Sequence, residues 1–502
     1  MVLSELPGSE ILNCRSVCNT FKRLIDQSKK LQYIIQSTVR GLEPLGDSGS
    51  ASSNLANLLF RERSWTMFGS IPGSCWSLQN PPNLADGPTQ KLCSTYNCGK
   101  LALFRGNHAV EHSLYPLQDI NLREYEIPSF GVEDLDFVAS TNDVLVYSTG
   151  KTIHVYSKAG NELLNVLSAP HLGTLRVPTI HGSWIAALFS SEHRCNSVLI
   201  WNWKSGRLID TLHDAYSPVL STAFFDDTTL AVVCTNRSAC AARVDTYELG
   251  TQEIVLRSSV SLPDAHPSKW YAKADIYTGG EAAHSGTERM LPNEGIVAID
   301  LEIRIRIPHN PETITADRRL NAILVAHKRI FSPPHSTKAG AAVTCIPWTS
   351  WSPDHFRLLT GVRLSPQRPV WGRRLIAVGP ESGKISLFDF CPVGLKAVAQ
   401  VWKGSGTWGA SSNGRGGVSV RAALAQRART LVRASNLGAL ASWFDNLSPT
   451  SVQIPYVVSV RRGMIDVVDT MMDGSSIVLT MRESDPSEQS TSTRIILFNH
   501  AS

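Results

Sequence analysis

Four residues between positions 93 and 112 have the types and spacing of zinc ligands. Cys93 and Cys98 are separated by four residues and His108 and His112 by three, and zinc prefers thiolate and imidazole ligands. A zinc finger places about twelve residues between its two pairs and presents the histidines from a helix. Here nine residues separate the pairs, and Lys100 to Arg105 has the apolar alternation of a strand. We therefore predict ordinary strand and loop residues, with no metal site.

A glycine-rich hexapeptide at residues 404–409 (GSGTWG) matches the fingerprint of dinucleotide-binding loops. That chemistry requires a helix that begins at the glycines, so that its amide groups face the pyrophosphate. Residues 410–417 (ASSNGRGG) do not begin a stable helix, and no acidic residue follows about twenty positions later. The sequence also contains no G-x-S-x-G elbow, Walker loop or HExxH motif. We predict no cofactor and no catalytic residue.

The N-terminal region has the periodicity of helices. Residues 3–36 repeat apolar side chains every three or four positions, which predicts amphipathic helices. Cys14 and Cys18 lie one helical turn apart and are predicted to pack in the helical core rather than to bind metal. Residues 41–54 (GLEPLGDSGSASSN) are rich in Gly, Ser and Pro and predict a flexible linker, which a short helix follows at about 54–65.

The remainder of the chain has the texture of β structure. Short β-branched and aromatic runs alternate with turn residues, and one strand–turn–strand unit recurs at intervals of roughly 45 to 55 residues, which suits a four-stranded propeller blade. One gap of nearly ninety residues, between Gly295 and Gly383, has room for another blade or an insertion. The copies that we identify lie at 151–164, 197–212, 242–255, 295–304, 383–398, 438–444 and 494–498. Segments without apolar alternation are predicted to be loops, at 278–292, 403–417 and 483–493.

These patterns predict a mainly β protein, with a propeller of about seven blades preceded by a small α-helical segment. A β-sandwich array and a pair of β domains are the alternatives. The predicted divisions are a helical segment at 1–37, a linker with its short helix at 38–90, and the β domain at 91–502. Most of the aromatic residues that alternate along the strands are predicted to pack between blades, and a few to emerge on a binding rim; the residues are Trp201, Trp203, Phe388, Phe390, Trp443 and Phe444.

Composition and charge exclude several classes of partner. A chain of 502 residues with 42% hydrophobic and 18% charged residues can bury a large core. Its formal charge is only +5, and the sequence contains no long block of charges of one sign. We therefore expect neither nucleic acid nor membrane as a partner. Ten cysteines without a CxxC motif suit reduced thiols, and no stretch approaches the ~18 apolar residues of a membrane span. We expect a cytoplasmic or nuclear protein.

The N-terminal helical segment resembles an F-box. Residues 10–25 (EILNCRSVCNTFKRLI) contain the acidic-Leu-Leu-like step, the Cys-Arg-x-Val-Cys run and the basic, aromatic-Leu-Ile end of that family. With residues 31–35 (LQYII) and 60–65 (FRERSW), the segment is similar to fungal, basidiomycete-type F-box proteins.

This resemblance implies a non-catalytic substrate receptor of an SCF-type ubiquitin ligase. The F-box would bind the S-phase kinase-associated adaptor and, through it, the cullin scaffold, while the β domain holds a protein substrate of unknown identity. The residues implied in adaptor binding are Leu6, Pro7, Ile11, Leu12, Arg15, Val17, Cys18, Phe21, Leu24 and Ile25.

The sequence departs from the family pattern at its first helix. A full F-box opens with a Leu-Pro-x-Glu helix, whereas residues 6–9 (LPGS) lead directly into the later part of the motif. Either the chain begins late, inside the F-box, or about a dozen residues are missing after Leu6-Pro7. The adaptor-binding surface is therefore expected to be incomplete.

Three functional hypotheses follow. The first is the ligase receptor, and the second is a propeller scaffold that binds proteins without any role in ubiquitination. The third is an enzyme in the propeller channel, which would require His together with Asp or Glu at one end of that channel. A further alternative for the N-terminal segment is that its apolar stripe packs entirely on the β domain and leaves no surface for a partner.

Overall fold

A computed structural model describes most of the chain. The described residues are 2–44, 50–66, 68, 74–77, 93–97, 100–105, 108–113, 122–126, 137–141, 143–148, 152–160, 162–169, 174–191, 194–212, 217–236, 240–250, 253–279, 288–290, 294–305, 319–331, 343–351, 355–365, 369–379, 384–391, 429–432, 440, 442–445, 447, 454–461, 467–472, 476–483 and 492–499.

The N-terminal segment is helical, as its periodicity predicts. A 3-10 turn at Val2–Glu5 precedes four helices. These are α1 (Gly8–Val17), α2 (Asn19–Gln27), α3 (Lys29–Val39) and α4 (Ala51–Thr66). Extended residues separate the helices and cap them. The Cys18 thiol accepts a hydrogen bond from the Phe21 amide (3.5 Å), and the Ser28 hydroxyl accepts one from the Leu31 amide (3.4 Å). Side-chain capping thus begins α2 and α3.

Strands form seven sheets of four or five strands among the described residues, and each of these sheets consists mainly of strands that follow one another in the chain. The first three are β3 (Cys93–Asn97), β4 (Lys100–Arg105), β5 (His108–Ser113) and β6 (Leu122–Glu126); β7 (Phe137–Ser140), β8 (Val144–Ser148), β9 (Thr152–Ser157) and β10 (Glu162–Ser168); and β11 (Thr174–His181), β12 (Trp184–Ser191), β13 (Arg194–Asn202) and β14 (Arg207–Leu212).

The next three sheets carry insertions. Sheet four contains β15 (Val219–Asp226), β16 (Thr229–Thr235), β17 (Ala242–Leu249), β18 (Ile254–Ser261) and, parallel to β18, β23 (Cys345–Ile346). Sheet five contains β19 (Lys269–Thr278), β21 (Ile296–Ile305), β22 (Arg319–His327) and β24 (Phe356–Thr360). Sheet six contains β25 (Val370–Trp371), β26 (Arg374–Val378), β27 (Ile385–Asp389), β29 (Tyr456–Arg461) and β28 (Arg429–Val432).

Sheet seven joins the two ends of the β region. It consists of β30 (Val467–Met472), β31 (Ser476–Glu483), β32 (Ser492–Asn499) and, at its outer edge, β2 (Ser74–Ser77). The first strands of successive sheets contact one another from β3 through β7, β11, β15, β19 and β25 to β30. This is the topology of a seven-bladed β-propeller, in which β2, from the N-terminal end of the β region, supplies the outer strand of the last sheet.

Smaller elements connect the helices and the sheets. A short ribbon pairs β1 (Leu42–Pro44) with β20 (Glu288–Met290) in antiparallel register. A 3-10 turn at Lys328–Ile330 and a short helix α5 (Trp348–Trp351) lie between β22 and β24.

The core lies between neighbouring sheets, as the aromatic pattern predicts. Trp201 and Trp203 lie in the cluster between sheets two and three, and Phe388 and Phe390 lie in that between sheets five and six. Phe444 is buried in the cluster between sheets four and five, and Trp443 packs against it half-buried. Stacking of apolar sheet faces therefore stabilises the ring.

Some sequence predictions hold and others are wrong. Lys100–Arg105 is the strand β4, as predicted. Residues 41–54 are not wholly a linker, because β1 pairs with β20 there and α4 already begins at Ala51. The predicted loop at 278–292 likewise contains β20, and β2 lies within the segment assigned to the linker.

The repeat at 438–444 is also wrong. Its described residues contain no ladder strand, and Phe444 makes only an isolated bridge to Ala265. The predicted loop at 403–417, with its GSGTWG hexapeptide, lies outside the described residues.

Candidate adaptor-docking site

Four large apolar side chains of α1 and α2 point to solvent. Leu12, Val17, Phe21 and Leu24 are 38%, 69%, 38% and 51% exposed, respectively. We call these four residues the docking patch. Several large apolar residues exposed within one short segment are typical of protein interaction sites, whereas single ones are common on every protein surface. The apolar stripe therefore does not pack entirely on the β domain.

An ion pair fixes the two helices of the patch relative to each other. Arg15 on α1 donates to Asp26 on α2 through two nitrogens, with Nε to Oδ1 at 2.7 Å and Nη2 to Oδ2 at 3.2 Å. This hydrogen bond lowers the pKa of the Asp26 carboxyl below its ordinary value, so the carboxyl is charged at neutral pH. Both side chains are solvent-exposed, so the bridge supplies orientation more than stability.

A shallow groove of about 610 Å³ runs across the junction of α1 and α2. Polar and cationic side chains line it together with two members of the docking patch, and the lining residues are Leu12, Arg15, Ser16, Val17, Cys18, Asn19 and Lys22. A partner in this groove would meet apolar surface and positive charge side by side.

Two of the predicted adaptor-binding residues lie elsewhere. Ile11 and Ile25 are 0% exposed and, with Leu31 and Ile35, form the core that holds α1, α2 and α3 together. A partner on the outer surface of these helices cannot touch them, because they face the neighbouring helices. Leu6 is half-buried against this core, whereas Pro7 is exposed.

One cysteine of the motif packs as predicted and the other does not. Cys14 is half-buried and packs against the helical core, whereas Cys18 is exposed and caps α2. The prediction of core packing is wrong for Cys18 because the chain is extended there, at the break between two helices, and not continuous helix.

The docking patch stands on a base that joins it to the propeller. Tyr33 of α3 packs with Leu42 and with Leu55 and Leu58 of α4. Further along, Trp65 and the following Phe68 are buried against side chains of sheets six and seven, namely Ile376, Ile385, Leu387, Met472, Ile477 and Leu479. We call this buried contact of Trp65 and Phe68 with sheets six and seven the seat. Sequence periodicity predicted α4 but not the seat, because the seat joins residues more than 300 positions apart.

Within the described ranges, no group of three or more His, Cys, Asp or Glu side chains is arranged to hold a metal ion. None of the described helices is long and apolar enough to cross a membrane.

Comparisons with known proteins identify the N-terminal helices. The F-box domain model matches residues 1–33, which span α1 and α2 and the first turn of α3. No curated protein matches the chain. An F-box domain implies an SCF-type substrate-adaptor role in general, through binding of the S-phase kinase-associated adaptor.

Similar solved structures exist for the β region. Hydrazine synthase of Kuenenia stuttgartiensis is 10% identical with a TM-score of 0.41, and covers 80% of this chain and 95% of its own. Hsv2 of Kluyvelomyces marxianus is 9% identical with a TM-score of 0.38, covering 80% and 96%. The C-terminal WD40 domain of Sif2 is 11% identical with a TM-score of 0.37, covering 82% and 98%. The propeller assignment depends on the strand topology of this chain. At the N-terminus, residues 1–33 match the F-box domain.

Proposed function

We propose that this chain is the substrate-recognition subunit of an SCF-type E3 ubiquitin ligase. In this proposal the F-box helices bind the S-phase kinase-associated adaptor, the cullin scaffold joins through that adaptor, and the propeller binds a protein substrate. The chain acts in the cytoplasm or nucleus, and its F-box is of the fungal, basidiomycete type that residues 31–35 and 60–65 indicate.

The exposure of the docking patch is the observation that carries the proposal. The segment that matches the F-box model is also the segment with four large apolar side chains in water. Helices dock on partners through such apolar residues at helical spacing. Of the residues implied by the resemblance, those that stay accessible to the adaptor are Leu6, Pro7, Leu12, Arg15, Val17, Cys18, Phe21 and Leu24.

The chemistry expected of such a subunit is proximity. The ubiquitin-loaded partner supplies the activated thioester, and the substrate supplies the lysine nucleophile. Holding both in one complex converts an encounter in solution into a reaction within an assembly, which raises the effective concentration of the lysine. The propeller needs no nucleophile of its own for this role.

Co-purification with the adaptor tests the proposal. We expect the chain to co-elute with the adaptor, and Val17→Glu with Leu24→Glu to weaken binding by at least about 100-fold, because charged groups would replace two apolar contacts. Val166→Glu is the matched control, since Val166 is an exposed valine of β10, far from the helices in sequence. Equal binding by all three proteins would contradict the docking patch.

A second form of the chain separates an incomplete F-box from a wrong assignment. A Leu-Pro-x-Glu helix fused before Val2 would supply the first helix that the family pattern contains. Absence of adaptor binding in both forms would remove the ligase proposal. The scaffold alternative predicts instead stable partners whose cellular levels do not change when the chain is deleted.

A further inference from the structure

Four charged side chains meet in the buried seam between the helices and sheet six. The Glu62 carboxylate of α4 accepts a hydrogen bond from Arg374 Nη2 at 2.8 Å, and its Oε2 lies 3.5 Å from Arg40 Nε. On the other side, Arg374 Nε lies 3.7 Å from Asp389 Oδ2. We call Arg40, Glu62, Arg374 and Asp389 the charge lock.

The charge lock is removed from solvent. The side chains of Arg40, Arg374 and Asp389 are 7%, 6% and 8% exposed, and that of Glu62 is 17% exposed. The Arg374 guanidinium also lies 4.9 Å from the centroid of the Trp65 ring, which adds a cation–π contact from the same helix. Burial alone would lower the pKa of Arg374, but the charges of Glu62 and Asp389 outweigh it and raise that pKa.

The lock connects the helices to sheet six, and none of the described strand pairings joins those two parts. Arg40 follows α3, Glu62 lies in α4, and Arg374 and Asp389 belong to β26 and β27 of sheet six. Apolar packing of Trp65 and Phe68 tolerates sliding, because the hydrophobic effect has no direction. Buried charges tolerate it poorly, since each displaced charge loses its partner and stays out of water. The Glu62 carboxylate lies between the two arginines, so one orientation of α4 places it within ion-pair distance of both guanidinium groups.

A second attachment of the helices is the ribbon of β1 with β20. It ties the end of α3 to the segment between β19 and β21. Beside it, Arg373 pairs with Glu294, and Gly41 has a φ of +73° where a Cβ would lie 3.0 Å from the Glu294 side chain. The helices are therefore held at two separate points, by the charge lock at sheet six and by the ribbon with β20 in the segment between two strands of sheet five.

We infer that Glu62 is a positioning residue that fixes the F-box helices in one orientation on the propeller. The consequence of this positioning rests on the proposed function. It is that the ligase presents substrate lysines at a defined distance and direction from the ubiquitin donor. Glu62 does not touch adaptor or substrate in this account. It acts through Arg40 and Arg374.

A distance measurement tests the positioning independently of any ligase activity. Spin labels carried by unnatural amino acids at Arg23 of α2 and at Lys384, both exposed, report the position of the helices relative to sheet six. We expect one narrow distance distribution in the native chain and at least a twofold broader one in Glu62→Gln. The matched control is Glu248→Gln, which removes an exposed ion pair with Arg257 in sheet four and should leave the width unchanged.

Two outcomes decide the inference. A Glu62→Gln distribution as narrow as the native one, in a protein with native helical circular dichroism, would overturn it. If Glu62→Gln fails to fold, Glu62→Asp is measured instead, because it keeps the charge but withdraws the carboxylate from one arginine. The same broadening is then expected, and a native width would overturn the inference.

Ubiquitin transfer to the chain's own lysines tests the consequence. In a complex reconstituted with adaptor, cullin and a ubiquitin-loaded E2, the native chain should be modified at a small fixed set of lysines. Glu62→Gln should bind the adaptor as the native chain does but spread modification over at least twice as many sites. Failure of the native chain to bind the adaptor would count against the proposed function, whereas identical site patterns would count against positioning alone.

Discussion

At the residue scale, the functional difference between similar side chains is a difference of orientation. Ile11 and Val17 both belong to α1 and both fit the F-box pattern, yet Ile11 is buried in the helical core and Val17 is the most exposed large apolar residue that the structure describes. Periodicity finds the apolar residues of a helix. It does not say which of them face the neighbouring helices, because the breaks at Cys18 and Ser28 set the direction of each helix.

His327 provides a prediction on acid stability. It ends β22, and burial, followed by the charges of Arg329 and His355, lowers its pKa to about 4. Because the unfolded chain binds a proton near the ordinary histidine pKa of about 6.5, the folded state loses stability as pH falls from about 6.5 to 4.

Urea denaturation as a function of pH measures this effect. Between pH 7 and pH 4 the native chain should lose about 3 kcal/mol more stability than His327→Gln, which cannot be protonated. The free energy of unfolding of each protein is referred to its own value at pH 7, so the comparison uses only how that free energy changes with pH. Parallel pH profiles would show that His327 is not held neutral.

At the element scale, α4 is the helix that connects the N-terminal helices to the propeller. Its predicted bounds of 54–65 are close to the observed Ala51–Thr66. Its connecting role was not predictable, because the residue pattern of α4 predicts a helix but does not show which surface that helix packs on. The charge lock was missed for the same reason, since Glu62, Arg374 and Asp389 are ordinary charged residues until the fold brings them together.

Trp65 is expected to be the main apolar contact of α4. It is 1% exposed and packs on sheets six and seven. Trp65→Ala should destabilise the protein by about 3–5 kcal/mol, because it leaves a cavity and removes the cation–π contact with Arg374. Leu59→Ala, at an exposed position of the same helix, should change stability by less than about 0.5 kcal/mol. Urea denaturation followed by circular dichroism compares them, and equal losses would contradict the seat.

At the scale of the whole molecule, strand hairpins were predictable and ring closure was not. The units at 151–164 and 197–212 coincide with the pairs β9 with β10 and β13 with β14, because each hairpin is a local pattern. The pairing of β2 with β32 joins residues more than 400 positions apart, and no local pattern records it. The blade number therefore came from spacing, whereas the closing strand came only from the structure.

Ring closure provides a prediction with a built-in control. Cys75 of β2 lies opposite Ile496 of β32, and Trp76 lies opposite Ile495. Ile496→Cys should form a disulfide with Cys75 under oxidising conditions. The disulfide should raise the free energy of unfolding by up to several kcal/mol for so long a loop, and the urea midpoint should rise with it relative to the reduced protein. Ile495→Cys, which is one position out of register with Cys75, should show no such shift. A redox-independent midpoint in Ile496→Cys would contradict the register.

Amide hydrogen exchange with and without the adaptor tests the central claim most directly. The account predicts slower exchange in α1 and α2 when the adaptor is present, no change in the outer strands of sheets two and three, and loss of the protection in the Val17→Glu, Leu24→Glu variant. Unchanged exchange in α1 and α2 at adaptor concentrations that saturate a known F-box protein would contradict it.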